Sequence, residues 1–575
     1  MPVPFAGKEF TFTNPDGSEI RVRGWGNQYH AVFETLDGYT VVKDPVSGIF
    51  HYADLSKDKD SLVPSGTKVG QKDPQSLSLP QHIRIRKDSA KIKAKSAQDK
   101  AGVRFRWEER REQRHQHKMQ ALRGMKAVDA MPASAAPVGS YVGLCLLIQF
   151  PDVPSTINQQ EVSNFCNQHG YSNFGNNGSV YDYFFDVSDG KLKYTNVVTS
   201  YYTAKHNRSY YTDPKISYGS RARELIVEAL DDLKAKGFNF SQLSSDSNGY
   251  VYALNVFYAG SIANNWAEGL WPHSSGLATP YIASSTKKLS DYQITNMGSQ
   301  LTLGTFCHEN GHMVCNFPDL YDYGYESTGV GNYCLMCYGG SDLNPTQVSA
   351  YLKNEAAWTS KLSTITPGMA ATIAAGSNDF LIHKRSNGTE YFILENRQKT
   401  GRDSSLPDAG LAIWHVDETG SNNNQEMTLA KHYECSLEQA DNRFDLEHNA
   451  NAGDSDDLFA APTKASFGGA TAPSSKWWDG SSSGLEIIDI SASGPSMTVK
   501  TQASWQYNLS VIRTHAKNGS QMGWAIVSGS SWLRVRPLSS DGVTNIFMIL
   551  CEALANNRKV DVLIVNGEIT EATLC

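Results

Sequence analysis

Apolar and polar positions alternate through the first 85 residues. Phe10-Thr-Phe-Thr13, Ile20-Arg-Val-Arg23 and Tyr39-Thr-Val-Val42 share a period of two, broken by turn residues such as Asn14-Pro-Asp-Gly17. That period puts every second side chain on one face of a sheet, so residues 1–85 read as a small β-rich domain. The alternation then stops. Residues 86–138 are dense in Lys, Arg, Glu and Gln, as in Arg104-Phe-Arg-Trp-Glu-Glu-Arg110-Arg111. They read as an exposed charged helix or solvated linker, with a flexible joint at Ser134-Ala-Ala-Pro137.

The apolar run Tyr141-Val-Gly-Leu-Cys-Leu-Leu-Ile-Gln-Phe150 opens a new unit as a strand. Val180–Val187 reads as a helix with an aromatic face, Ala222–Leu233 as an amphipathic helix, and Val251–Tyr258 as another strand. Residues 139–364 therefore read as an α/β domain. From 365 to 503 the pattern turns to strands, at Phe380-Leu-Ile-His383, Tyr391-Phe-Ile-Leu394, Leu411-Ala-Ile-Trp414, Leu485-Glu-Ile-Ile488 and Met497-Thr-Val-Lys500. This predicts a β-sandwich. Residues 504–575 predict a small α+β unit, with strands near Ser510, Trp524 and Val560 and a helix over Asp541–Asn556 capped by Asp541. The expected fold class is multidomain α+β, because 575 residues exceed what one core serves.

One motif stands inside this pattern, His308-Glu309-Asn310-Gly311-His312. On a helix, residues four apart share a face, so the two imidazoles can grip one zinc ion. Glu309 can then point at a water in the metal's open position and act as general base. The upstream run from Ser299 reads as the start of this helix. Gly304 and Gly311 each weaken a helix by about 1 kcal/mol relative to Ala, so each predicts a close neighbour. Pro318 stops the helix and turns the chain. Asp319, Asp322 and Glu326 then lie within reach as a third ligand, and Asp319 leads because it comes first after the turn. Met336, in the glycine-rich stretch Gly329–Gly340, suits an apolar floor below the metal. Tyr338 reads equally as a donor to an oxyanion and as a packing residue.

The runs HENGHMVCNFPDLYDYG (308–324) and GVGNYCLMCYGG (329–340), with Asn177–Leu192, Tyr391–Gln398 and Gly410–Glu418, resemble the immune inhibitor A type of secreted bacterial zinc metallopeptidases. The likeness covers most of residues 1–500. It implies a zincin-like metalloprotease domain and an endopeptidase acting on protein or peptide substrates. It also implies zinc held by His308, His312 and a downstream Asp, an N-terminal propeptide, and export. The chain departs from that pattern in one way. The family's histidine pair is followed by a glycine turn, with the Asp ten residues past the first His. Here Cys315 stands where that glycine would be and Asp319 lies eleven past His308, so one residue is inserted.

As a propeptide, residues 1–85 would present Trp25–His30 and Glu34–Gly38 to the catalytic domain. No Cys precedes Cys145, which excludes a cysteine latch on the metal. His30, Glu34 and Asp37 are candidates to cover it, although a plain surface role is favoured for them. Arg110-Arg111 suits an activating cut in an exposed segment. His273, in Trp271-Pro-His273, reads as structural.

The remaining features add less. The net charge of −7 gives no cue for nucleic acid, no apolar run is long enough to span a membrane, and a monomer is expected. Nine cysteines cannot all pair, and a Cys315–Cys334 disulfide and free thiols stand even. Asp445, Asn449, Asp454, Asp456 and Asp457 crowd oxygen ligands into a glycine-bearing loop, which suits calcium, with a solvated acidic loop as the rival. Met1-Pro-Val-Pro-Phe-Ala-Gly-Lys-Glu9 is not a secretory signal, so a cytoplasmic enzyme is the alternative to export. Two other functions compete with the peptidase. One is a catalytically silent binding or adhesion protein on the same scaffold, which the intact Glu309 counts against. The other is a zinc hydrolase of non-peptide substrates.

Overall fold

The computed structural model describes residues 4–101, 105–122, 136–324, 326–517, 522–536, 541–565 and 567–575. It is a multidomain α+β protein. The N-terminal unit is an antiparallel meander of β1 (Phe5–Thr13), β2 (Glu19–Gly26), β3 (Ala31–Thr35), β4 (Thr40–Lys43), β5 (Phe50–Leu55) and β6 (Leu62–Lys68). Its alternation sorts the faces as expected: Ile20 and Val22 turn inward while Glu19, Arg21 and Arg23 stay exposed. The inward face is completed by the unit that follows, whose Trp271 packs among Phe12, Phe33 and Phe50.

Two helices follow, α1 (Lys87–Ala101) and α2 (Arg106–Leu122). Helices form here, as one of the two expected readings has it, but α2 is not exposed throughout. Trp107 and Arg110 of α2 are buried. Arg110 donates to Asn316 Oδ1 at 2.8 Å and to the Met313 carbonyl at 2.7 Å, and Arg114 donates to the Cys315 carbonyl at 3.0 Å. Those carbonyls lie at a helix C-terminus, where they lack partners within the helix and favour cations. Charge in this segment thus answers a buried need and not solvent. The expected cleavage point Arg110-Arg111 is packed, with Arg110 only 4% exposed and Arg111 paired with Glu434. Half of the expected joint at Ser134–Pro137, Ser134 and Ala135, lies outside the described residues.

The central sheet contains β7 (Gly139–Gln149), β8 (Leu192–Thr203), β9 (Leu254–Tyr258), β10 (His273–Ile282) and β11 (Lys288–Asn296). Its order is β10-β11-β9-β7-β8, parallel throughout except that the edge strand β10 runs antiparallel to β11. Leu144, Leu146 and Ile148 of β7 enter one core while Cys145 and Leu147 enter the other. A strand buried on both faces reads as a continuous apolar run. The two helices foreseen here form at Val180–Val187, under a Ser179 capping box, and at Ser220–Ala235.

From Lys361 to Thr501 a five-strand and a three-strand sheet share a core containing Phe392, Leu394, Ile413 and Met497. The other face of the larger sheet sends Tyr391, Ile393, Ala412 and Trp414 into the same core as His308's helix, so the apolar interior is continuous across residue 364. Arg397, 2% exposed, closes this junction. It holds Asp403 with two bonds, of 2.8 and 2.7 Å, and donates to the Tyr333 carbonyl at 3.1 Å. Burial alone would raise the Asp403 carboxyl, but the Arg397 guanidinium, with the Thr346 hydroxyl and the Gln347 N–H, holds it below the usual range. Arg397→Ala would strand a buried carboxylate. The expected loss is about 3–5 kcal/mol of unfolding free energy, read from the denaturant midpoint.

Among the described residues of 504–575, five strands close a barrel and one helix, Gly542–Ala555, packs against it. That helix was legible, although Asp541 sits at its N-cap without a side-chain capping bond. No helix among the described residues is long and apolar enough to cross a membrane.

Candidate metal centre

The motif helix spans Leu303–Cys315. It begins later than the Ser299 start expected from sequence. Its first turn is capped from outside, by a 2.8 Å bond from the Gly304 N–H to the Asp342 carbonyl. A Cβ on Gly304 would lie 2.8 Å from Asp342 Oδ1, so glycine admits the capping loop. The stop also differs. Asn316, at φ 58°, ends the helix two residues before Pro318. Asparagine is one of the few residues that accept this left-handed turn.

The helix is buried on nearly every side, which is why it shows only a faint apolar stripe. Asn310 fixes its rotation. Its Oδ1 accepts from the Tyr194 hydroxyl at 2.6 Å and its Nδ2 donates to Asn255 Oδ1 at 2.8 Å, tying the helix to β8 and β9.

That rotation brings three ligand atoms together. His308 Nε2 and His312 Nε2 lie 3.2 Å apart, and Asp319 Oδ1 lies 3.1 and 3.2 Å from them. A tetrahedral ion about 2.0 Å from each ligand needs ligand atoms about 3.3 Å apart. The protons can be placed as well. His308 Nδ1 faces the Leu335 carbonyl at 2.9 Å, and His312 Nδ1 faces the Phe317 carbonyl at 2.6 Å. A carbonyl only accepts, so each Nδ1 carries the proton and each Nε2 offers a lone pair. Asp319 Oδ1 is buried and receives no hydrogen bond. Three acceptors therefore converge in a dry place with no proton between them, an arrangement that a cation would relieve. Burial lowers His312 below its ordinary value. Neutral imidazoles and an ionised carboxylate are the forms that bind zinc.

No family model matches this chain, and no curated protein matches it. The chemistry of the site therefore rests on its own atoms.

Asp319 is the carboxylate brought to the histidines, and the two alternatives are engaged elsewhere. Asp322 accepts the Gly324 N–H at 2.9 Å and the Glu326 N–H at 3.1 Å, which braces its own loop. Glu326 pairs with Lys91 of α1 at 2.9 Å. A residue that sequence reasoning missed is Tyr323, whose hydroxyl donates to Asp319 Oδ2 at 2.9 Å. Its place four residues after Asp319 was the only available cue. Tyr323→Phe removes this orienting bond and is expected to weaken zinc binding by about 10–100-fold, read by competition with a chelator.

The close neighbour foretold by Gly311 is Met336. A Cβ on Gly311 would lie 2.7 Å from Met336 Sδ. The turn carrying Met336 is held by the Leu335 carbonyl on His308 and by a 2.7 Å bond from the Leu320 N–H to the Met336 carbonyl. Glu309 is buried beside His308. Tyr338 lines two clefts, one of about 480 Å³ with Trp25 and His30 and one of about 750 Å³ with Trp271 and Thr305. Burial pushes its phenol well above the usual range, so the hydroxyl keeps its proton.

Other expectations divide. His273 is structural, bonded through Nδ1 to the Trp271 carbonyl at 2.7 Å and through Nε2 to the Tyr292 hydroxyl at 3.1 Å. All nine cysteines are free, so the Cys315–Cys334 link does not form. Glu34 is buried against His82 and Arg84 and is not a plain surface residue, while burial lowers His30 to about 4. Of the acidic loop, Asp445 and Asp454 gather with Asp441, their oxygens within 4.8 Å of one another. Asp456 and Asp457 stand outside that group. Asp457 turns to the Tyr333 hydroxyl at 3.0 Å and the Asp454 N–H at 2.8 Å, and burial raises its carboxyl to about 7. Asn449 turns the loop in the left-handed region, at φ 54°.

Proposed function

We propose that this protein is a zinc-dependent endopeptidase, kept latent by its N-terminal unit. The observation that carries this reading is the convergence of His308 Nε2, His312 Nε2 and Asp319 Oδ1, with Glu309 buried one residue away. Zinc held there would supply Lewis acidity toward water and the scissile carbonyl. Glu309 takes the proton of the attacking water and passes it to the leaving amine. The carbonyls of Leu335 and Phe317 keep both rings in one tautomer while this happens. Tyr338, with its phenol protonated, is the candidate donor to the oxyanion.

One feature favours a peptide over a small substrate. The sheet ends in an antiparallel edge strand, β10, whose backbone can pair with an extended chain. It supports a zincin-like reading of residues 139–364. Export is supported by the family resemblance alone. A silent binding protein would have no use for Glu309 in its place beside the ligands.

The test is metal analysis together with casein digestion by protein freed of its N-terminal unit. One zinc per chain, and cleavage that a chelator abolishes and zinc restores, are expected. A metal-free active protein would sink the reading. The same proposal assigns calcium to Asp441, Asp445 and Asp454. Calcium should raise the melting temperature, and Asp445→Ala should remove that rise. Identical melting with and without calcium would leave the loop a solvated acidic surface.

A further inference from the structure

The meander, with α1 and α2 as its continuation, makes up an N-terminal unit that reaches the site in two places. The first is the hairpin tip between β2 and β3. Asn27 Oδ1 accepts the N–H groups of Tyr29 at 2.8 Å and His30 at 3.1 Å, and the Asn27 N–H bonds the His30 carbonyl at 2.9 Å. This compact turn is driven into the catalytic unit, with Asn27 fully buried and Gln28 5% exposed. The Gln28 side chain lands on the edge strand. Its Nε2 donates to the Ser274 carbonyl at 3.1 Å, and its Oε1 accepts the Ser274 N–H at 3.3 Å. A primary amide presents the same donor and acceptor as a peptide group. The outward N–H and C=O of one edge residue are the pair that an added strand would use. Tyr29, the next residue, packs with Tyr323, Phe105 and Trp107.

The second place is α2. The Trp107 ring lies flat on His312, with centroids 4.6 Å apart and planes 25° from parallel. Asp291 on β11 accepts the N–H groups of Arg106 at 2.8 Å and Trp107 at 3.2 Å, and so fixes the start of the helix. Arg110 and Arg114 fix it further along, on the end of the motif helix. The meander is held independently of α2, by the Lys43–Glu268 ion pair, by Phe33 against Trp266, and by the Trp266 indole N–H on the Asn27 carbonyl at 2.9 Å.

We propose that the N-terminal unit inhibits through two separately anchored contacts, Gln28 standing in for a substrate peptide group on Ser274 and Trp107 forming a lid on His312. This rests on the peptidase reading for what is inhibited, and it adds two consequences. A substrate pairs with β10 through the backbone of Ser274. A cut in the connecting segment does not activate the enzyme, because the docked piece must also leave.

The experiment uses the full zinc-loaded chain carrying a specific protease's recognition sequence within residues 123–135. After the cut, the N-terminal piece is expected to co-elute with the rest on gel filtration. Casein hydrolysis and zinc transfer to a coloured chelator should both stay at the uncut rate, and rise once mild urea strips the piece away. In the uncut chain, Trp107→Ala should speed zinc transfer by about tenfold, the scale of one aromatic stacking contact. Gln28→Ala should raise casein hydrolysis severalfold and change zinc transfer little. Gln28→Glu, nearly the same size but with an oxygen facing the Ser274 carbonyl, should do the same; Trp107→Phe should fall between wild type and Ala. Full casein hydrolysis by cut protein with its piece still bound would overturn the proposal, as would wild-type zinc transfer in Trp107→Ala. If Trp107→Ala speeds zinc transfer yet no preparation cleaves casein, the lid stands and the peptidase reading falls. Full casein hydrolysis by the uncut chain would do the opposite, removing the inhibition and leaving the peptidase.

Discussion

Glu309→Gln is expected to abolish casein hydrolysis while zinc stays bound. Glu309 is not among the converging ligand atoms, so the metal should not need it. A positioned general base contributes about 10²–10⁴-fold, which sets the expected drop in turnover. Gln keeps the size and shape of a side chain that is only 1% exposed, so the fold should hold. The check is zinc content and casein rate on the same preparation, freed of its N-terminal unit. Near-normal turnover would remove Glu309 from the chemistry, and lost zinc would make it a ligand.

Asp319→Ala should empty the site. Without its carboxylate, two neutral imidazoles are left with their lone pairs 3.2 Å apart in a buried place. Affinity should fall by more than the about 10–100-fold that loss of an outer partner such as the Tyr323 hydroxyl brings. Asp322→Ala is the matched control. It frees the Gly324 and Glu326 N–H groups and loosens a loop, but removes no converging atom. Zinc titration of both variants decides the matter. Retained zinc in Asp319→Ala, with loss in Asp322→Ala, would move the third ligand to Asp322.

Local chemistry was the legible part of this site. His308 and His312 share a face because a helix has 3.6 residues per turn, and the glycine at 311 foretold its contact with Met336. Choosing Asp319 over Asp322 depended on which carboxylate its own loop already occupies, and sequence order only happened to agree. Partners far along the chain were invisible. Gln28 and Ser274 are separated by 246 residues, and periodicity reports only neighbours a few positions apart. The charge of α2 was visible, but its destination at a helix C-terminus was not, because composition does not say which carbonyls lack partners. The acidic loop was read in the same way. Its density of oxygens was plain, but which of them converge depends on how the loop turns at Asn449.

The apolar interior that runs past residue 364 bears on how such a gene could be cut and rejoined. A recombination point there would separate Met336 and Leu320 from Trp414 and Ile393, which share one core, and Tyr333 from Arg397. Each product would inherit half of a hydrophobic surface, and the Tyr333 carbonyl would lose the Arg397 donor. The chain from β7 to Thr501 is therefore the smallest piece that can pass intact from one architecture to another. The barrel of residues 504–575 keeps its own core, so the same argument does not bind it to the rest.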